Sequence, residues 1–271
     1  MIKDDDPELE QLKRKIQRER GFNCHLYKDK CLRRRIAVRM RARGESTYAG
    51  YAALLDRDAV EYEQLLDALT INVTKFFRNQ EMWAVLEEEV IPRLFEGAPE
   101  PRRIWSAGCA SGEEIFSASI LLHEWAARFG RTAELERFDL LGTDIDRRSL
   151  DAARRGSFPE LSMGEMPAAY RERWFSPGPP YQLDARIQER VRFEHRDLIS
   201  GEPEREQHLI LCRNVIIYFD RGIQEKIFDR FYEALVPGGF LVLGKVETLL
   251  GRTRSLLRPV SNRQRIFWKP E

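Results

Sequence analysis

Three acids and one small-residue turn carry the first chemical information in this 271-residue chain. The stretch "RRIWSAGCASGEEIFSASILLHEW" (102–125) passes from a short apolar run through a turn into a helical pattern. Turns of this build present backbone N–H groups and a helix N-terminus to an anion. Glu113 and Glu114 stand where a phosphate would lie and would repel it. The turn also lacks the GxGxxG of dinucleotide sites and the lysine of a phosphate loop. The third acid, Asp144 in "GTDID", closes the next apolar run, where it can accept from two ribose hydroxyls. A nucleoside with positive charge and no phosphate satisfies both facts, and S-adenosylmethionine is such a ligand. The competing reading is an ordinary helix start, with the two glutamates favouring the helix dipole.

The elements that must hold these residues are legible from pattern. Residues 7–19, 28–43, 46–56 and 58–70 have helix-forming composition, and Leu32, Ile36 and Met40 recur every four residues as one apolar stripe. After about residue 100 short apolar runs appear at 103–107, 138–143, 191–195, 208–213 and 239–244. Helical patterns at 113–128, 146–154 and 221–236 separate most of them. That alternation predicts an α/β fold of the Rossmann-like class, a mostly parallel sheet with helices on both faces. "QRIFWKP" (264–270) suits an added edge strand. The irregular stretch 156–190 contains "SPGPPY" and reads as an insertion, with "QLDARIQERVRFEH" available for small antiparallel strands. In an open parallel sheet ligands sit beyond the carboxyl ends of the strands, which gathers 106–114, 143–146, 197–198 and 213–218 around one crevice.

Composition excludes several classes. The charge is balanced at 45 basic and 44 acidic residues, so net charge points to neither nucleic acid nor membrane. No run of about 18 apolar residues suggests a transmembrane span, and the acidic, polar N-terminus does not read as a secretory signal. Cys24, Cys31, Cys109 and Cys212 form no CxxC pair and read as reduced thiols of a cytoplasmic protein. His25, His123, His195 and His208 share no metal spacing, so no metal is expected.

Two further stretches, "ALTINVTKFFRN" (68–79) and "CRNVIIYF" (212–219), join "AGCASGEEIFS" in a set that resembles the chemotaxis receptor glutamate methyltransferases, the CheR family. The resemblance runs from about Gly21 to Trp268, with the three motifs in the family's order. It implies S-adenosylmethionine-dependent O-methylation of glutamate side chains on the cytoplasmic helices of chemoreceptors, with S-adenosylhomocysteine as product. It also implies an N-terminal helical receptor-docking domain (1–70) and a linker contributing to the cofactor site (71–90). A methyltransferase domain (91–271) would follow, with a small antiparallel β-subdomain inserted at about 156–196. Carried over by motif, cofactor contacts fall on Asn72, Thr74, Arg78, Glu113, Asp144, Asp197, Leu198, Arg213, Asn214 and Val215. The chain departs from the family at Asp197, where asparagine is common, and at Ile71, where many members have threonine. "GKVET" (244–248) replaces the usual glycine-histidine-serine-glutamate run.

The chemistry expected of such a site is spare. A glutamate carboxylate has an ordinary pKa of about 4.3 and is already the nucleophile at neutral pH, so no general base is required. Tyr218 is the candidate to orient that carboxylate, with a core aromatic as its competing role. Arg78 is the candidate partner of the cofactor's own carboxylate, against an interdomain ion pair. "KCLRRRIAVRMRAR" (30–43) has six arginines and one lysine with no acid inside it. Read as a docking comb for a glutamate-rich receptor helix, it uses Arg33, Arg35, Arg39 and Arg43. A solvated helix face and a phosphate-binding stripe are its rivals. The insertion's loop is several residues shorter than in members that bind a receptor's C-terminal tether, which favours a tether-independent enzyme. A monomer that neither binds nucleic acid nor enters a membrane is expected. A nucleic-acid methyltransferase and a non-catalytic S-adenosylmethionine sensor remain the alternatives.

Overall fold

The computed structural model describes residues 6–70, 72–96, 101–202 and 204–271. Ile71, one of the departures noted above, lies outside them. The chain divides into a helical unit, residues 1–71 with 218–223, and a larger α/β unit, residues 72–217 with 224–271.

In the helical unit each helix starts and stops on local chemistry. Asp6 accepts from the Glu8 N–H at 3.0 Å to open α1 (Pro7–Arg20), and Gly21, at φ +71°, closes it in the left-handed conformation. α2 (Asp29–Ala42) buries Leu32, Ile36 and Met40, the stripe expected from the four-residue spacing. Thr47 caps α3 (Tyr48–Arg57) through the Gly50 N–H, and α4 (Ala59–Thr70) follows. Leu9, Leu12, Ile16, Leu32, Ile36 and Leu65 are almost wholly buried.

One carboxylate organises the far side of this unit. Glu61 has no exposed surface, yet it receives the Tyr51 hydroxyl at 2.6 Å, Arg39 through Nε (3.1 Å) and Nη2 (2.5 Å), and Arg43 at 3.2 Å. Burial pushes its carboxyl up, but the bonds from Arg39 and Tyr51, aided by the charge of Arg43, hold it below the ordinary range.

In the α/β unit, α5 (Gln80–Val85), a π turn (Leu86–Val90) and α6 (Ile91–Phe95) form one nearly continuous helix. The change of register falls beside Pro92, which brings no N–H to the ladder. The strands are β1 (Arg102–Ala107), β2 (Phe138–Asp144), β3 (Ser157–Phe158), β4 (Tyr181–Gln182), β5 (Val191–His195), β6 (Gln207–Cys212), β7 (Leu235–Leu243), β8 (Arg258–Ser261) and β9 (Ile266–Trp268). Among the described residues seven of them form one sheet in the order β5-β2-β1-β6-β7-β9-β8, with β5, β2, β1, β6 and β7 parallel. β9 and β8 run antiparallel at the edge. Helices α7 (Glu113–Arg128), α8 (Arg147–Arg155), α9 (Ala168–Trp174), α10 (Ala185–Gln188), α11 (Arg221–Ala234) and α12 (Thr253–Leu256) complete the connections. The fold is the class I methyltransferase arrangement, with its topological switch between β1 and β6, where a parallel sheet opens a crevice at its carboxyl edge.

The insertion differs from expectation in detail. Only β4 of "QLDARIQERVRFEH" joins a small antiparallel sheet, pairing with β3. Residues 185–188 turn into α10 because Asp184 caps the Arg186 N–H at 2.8 Å, and 191–195 pair in parallel with β2. β8 was not foreseen, because Pro259 removes a ladder donor and only an edge position tolerates that.

Replacing Glu61 by glutamine tests the helical hub. Two cations and a buried hydroxyl would share one neutral acceptor, which should cost about 3 kcal/mol in urea unfolding at pH 7. Because the folded Glu61 carboxyl sits below its ordinary range, its contribution is complete above about pH 4.3 and is lost as pH falls through the lower folded value. The gap between E61Q and the unmodified chain should therefore close in acid; a gap that stays constant down to pH 3 would contradict the pairing.

Candidate active site at the strand ends

β1 ends at Ala107 and the chain turns through Gly108 (φ +80°), Ala110 (φ +47°) and Gly112 (φ +90°). Gly108 must be glycine for a second reason: a Cβ there would lie 2.6 Å from Val215 Cγ2. The turn after β1 is thus pressed against the turn after β6, on either side of the switch point.

Asp144 ties the turn to β2. Its carboxylate accepts from the Ala110 N–H at 2.8 Å and from the Asp146 N–H at 2.9 Å, while Thr143 O accepts from Gly108 and Cys109. Burial pushes the Asp144 carboxyl up and the N–H donors pull it back. Each oxygen keeps a lone pair beyond its backbone bond, which suits a carboxylate that must also take hydroxyl donors. Asp146, next along, accepts from the Asn72 side-chain amide and from Ser149, so Asn72 is held at the same strand end.

The paired glutamates of the opening motif separate into two jobs. Glu113, 2 % exposed, accepts from the hydroxyls of Ser111 (2.7 Å) and Ser162 (2.9 Å). Glu114 turns inward to Ser106 (2.8 Å) and the buried guanidinium of Arg213 (3.4 Å). Burial pushes both carboxyls up. Arg213 also donates to Arg78 O (2.7 Å) and Asn79 Oδ1 (2.8 Å). The guanidinium expected to meet cofactor is therefore committed to the 78–79 segment and to Glu114, where its charge joins the Ser106 hydroxyl in offsetting the burial of that carboxylate.

At the end of β6, Asn214 adopts φ +62° and its buried Oδ1 has no hydrogen-bond partner. Val215 closes on Gly108. Asp197 spends its carboxylate on its own turn, accepting from the Ile199 N–H (2.9 Å) and the Ser200 hydroxyl (2.6 Å), with Leu198 half-buried beside it. Thr74 lies half-buried in the irregular segment that carries Asn72, and Arg78 donates to Val73 O at 3.1 Å. Tyr218 groups with the helical unit: its ring lies 4.8 Å under the Arg35 guanidinium and its carbonyl accepts from the Lys28 N–H.

Sequence reasoning missed Glu247. It is 3 % exposed and its carboxylate accepts from the N–H groups of Gly244, Asn214, Val215 and Ile216 at 2.6 to 3.0 Å. The available signal was the glycine and glutamate that "GKVET" keeps from the family run.

Residues 72–265 match the family model described as "CheR methyltransferase, SAM binding domain", and residues 7–70 match "CheR methyltransferase, all-alpha domain". The chain belongs to the CheR methyltransferase family. Its relatives include the "Chemotaxis protein methyltransferase" of Listeria monocytogenes, 32% identical over 92% of this chain and 93% of that one. "Chemotaxis protein methyltransferase 2" of Pseudomonas aeruginosa is 31% identical over 90% of this chain and 87% of its own length. Among solved structures, a TehB-like SAM-dependent methyltransferase from Corynebacterium glutamicum is a distant likeness, with a TM-score of 0.38 and 17% identity, over 70% of this chain and 95% of that one. As a CheR-family protein the chain is an S-adenosylmethionine-dependent methyltransferase. Its strand ends fit that cofactor: a turn without a lysine, a buried carboxylate with lone pairs to spare, and an orphaned buried acceptor at Asn214. Among the described residues no cluster of His, Cys, Asp and Glu could hold a metal ion.

Gly108→Ala should separate the turn from Val215. The methyl group cannot be housed at 2.6 Å, and φ +80° is already unfavourable for alanine. Calorimetry with S-adenosylhomocysteine should read at least a tenfold loss of affinity in folded protein; unchanged affinity would mean that the close approach of the two turns is irrelevant to binding.

Proposed function

We propose that this CheR-family methyltransferase transfers the methyl group of S-adenosylmethionine to glutamate side chains on the cytoplasmic helices of a chemoreceptor. The names of the relatives support a chemotaxis substrate. The observation that carries the acidic, helical character of that substrate is the free face of α2.

That face is not the one expected from sequence. Arg33 pairs with Asp29, Arg39 and Arg43 with Glu61, and Arg43 also with Asp58 at 2.7 Å. Arg35 donates to Leu69 O at 2.8 Å at the end of α4, besides lying over Tyr218. The docking expectation for Arg33, Arg35, Arg39 and Arg43 is therefore revised: the same apolar stripe that seats α2 brings them against acids and carbonyls of their own unit. Lys30, Arg34 and Arg41 are exposed and have no ion pair among the described residues, with exposed Val38 between them. A basic stripe with an apolar residue in its middle fits a glutamate-rich amphipathic helix. Lys30, Arg34 and Arg41 would neutralise only a few phosphates, which disfavours the nucleic-acid reading.

In the proposed site Asp144 takes the ribose hydroxyls, Asn72 and Asn214 flank it, and Glu113 attracts the cofactor's positive end. Thr74, Asp197, Leu198 and Val215 line the same pocket, and Arg213 acts there through its backbone and through Arg78. The bound cofactor supplies a methyl group on a positive sulfur. The chain's part is to bring the substrate carboxylate in line with it and to exclude water, since the carboxylate must shed hydration before attack. Arg78 pairs with the cofactor's carboxylate. The short loop 176–180, closed by Ser176 and Gln182 through two bonds of 2.9 Å, supports a tether-independent enzyme. Among the described residues no helix is long and apolar enough to cross a membrane.

Incubation with methyl-labelled cofactor and cytoplasmic receptor fragments should give a base-labile methyl ester; base-stable label or label in oligonucleotide would refute the reading. Single-turnover rates at saturating cofactor should be nearly flat between about pH 6.5 and 8.5, because the nucleophile stays ionised. A steep limb near neutrality would reveal a titrating group in the chemical step. Replacing Arg34 and Arg41 together by alanine should raise the KM for receptor severalfold and leave S-adenosylhomocysteine affinity alone. The effect should fade as salt shortens the screening length below about 8 Å. Receptor kinetics unchanged at low salt would remove α2 from docking.

A further inference from the structure

The segment 244–248 is divided between solvent and the end of β6. Lys245 and Val246, the two positions where "GKVET" differs from the family's run, are exposed, and Val246 is 70 % so. The two retained positions point the other way. Glu247 folds back under the end of β6, and Gly244 makes room for it: a Cβ on Gly244 would stand 2.7 Å from Glu247 Oε2 and 2.8 Å from Asn214 N.

The bonding is divided in a specific way. Oε1 accepts from Val215 N–H (3.0 Å) and Ile216 N–H (2.9 Å); Oε2 accepts from Asn214 N–H (3.0 Å) and Gly244 N–H (2.6 Å). Three successive N–H groups of one turn thus converge on one carboxylate, an anion-binding nest filled by the chain's own side chain. The donors converge where Asn214, at φ +62°, turns the chain from the end of β6 into the short helical turn Ile216–Tyr218. The same conformation leaves Asn214 Oδ1 buried without a partner and sets Val215 against Gly108.

We infer that Glu247 is a positioning residue for cofactor binding: its carboxylate templates the 214–216 turn, and Gly244 is the space that lets it do so. The inference rests on the reading that Asn214 and Val215 belong to the cofactor site. It also explains why the departures in "GKVET" are tolerated, since they fall on the two side chains that do not reach the turn.

Glu247→Gln keeps the shape but turns one acceptor into an NH2 group, which must face N–H donors whichever way the amide is placed. S-adenosylhomocysteine calorimetry on folded E247Q should read at least a tenfold weaker Kd. Cofactor KM should rise by a similar factor while receptor-fragment KM stays within twofold, a split that general destabilisation would not produce. E247D, which keeps both acceptors, should recover part of the affinity. Kd within twofold of the unmodified chain in E247Q, an equal rise in both KM values, or no recovery in E247D would overturn the proposal. Should E247Q fail to fold, Gly244→Ala crowds the same clamp with the charge intact and should also weaken binding tenfold; unchanged affinity there overturns the proposal equally. Asn214→Ala separates the two levels. If it leaves affinity unchanged, the assignment of this turn to the cofactor has failed; if it weakens binding and E247Q does not, Glu247 alone has been misread.

Discussion

The carboxyl edge of the sheet depends on buried carboxylates taking backbone and guanidinium donors that the strands cannot pair themselves. Asp144 takes N–H groups of the β1 turn and the β2 end, Glu247 takes those of Gly244 and of the turn after β6, and Glu114 takes the Arg213 guanidinium. A parallel sheet leaves its last N–H groups aimed at the crevice, and a buried unpaired donor is costly. Each acid therefore lowers the cost of a turn, while the donors it takes offset part of the burial that pushes its carboxyl up. The result is a crevice with negative partial charge held in fixed positions, suited to a ligand with hydroxyl donors and a positive centre.

That arrangement is preorganised and locally strained. Ala110 and Asn214 hold positive φ on the two sides of the switch point, Gly108 removes the side chain that would keep the two turns apart, and Gly112 removes one that would meet Phe116, Phe193 and Ala153. Positive φ in a non-glycine residue persists only where its surroundings over-determine it. Here the surroundings are the carboxylates, so the cofactor need not order the turns on arrival, and less of its binding free energy is lost to ordering.

In the helical unit the same physics spends charge rather than displaying it. α2 carries a dense cationic sequence, yet its apolar stripe orients most of the arginines toward Asp29, Glu61, Asp58 and the carbonyls that end α4. Buried or half-buried ion pairs of this type fix geometry more than they add stability. What remains exposed and free of ion pairs among the described residues of α2 is Lys30, Arg34 and Arg41.

The four N-terminal helices, α7, the parallel strands and the Leu32, Ile36, Met40 stripe were legible in the sequence, because periodicity, caps and glycine stops act over a few residues. The glycine turn, the position of Asp144 at the end of β2 and the cofactor class were legible too, since the absence of a lysine and the placement of acids are local facts. β8 escaped because Pro259 argues against a strand everywhere except an edge, and only the finished sheet says where the edge is. The division between Glu113 and Glu114, the internal partners of Arg39 and Arg43, and the clamp of Glu247 were beyond sequence reasoning. Each joins groups well separated in the chain, 18 residues for Arg43 with Glu61, 33 for the Asn214 N–H with Glu247 and 99 for Arg213 with Glu114. A sequence determines which residues carry charge and which face of its own element each one shares. Which charges are left for a ligand is decided only when packing has consumed the others.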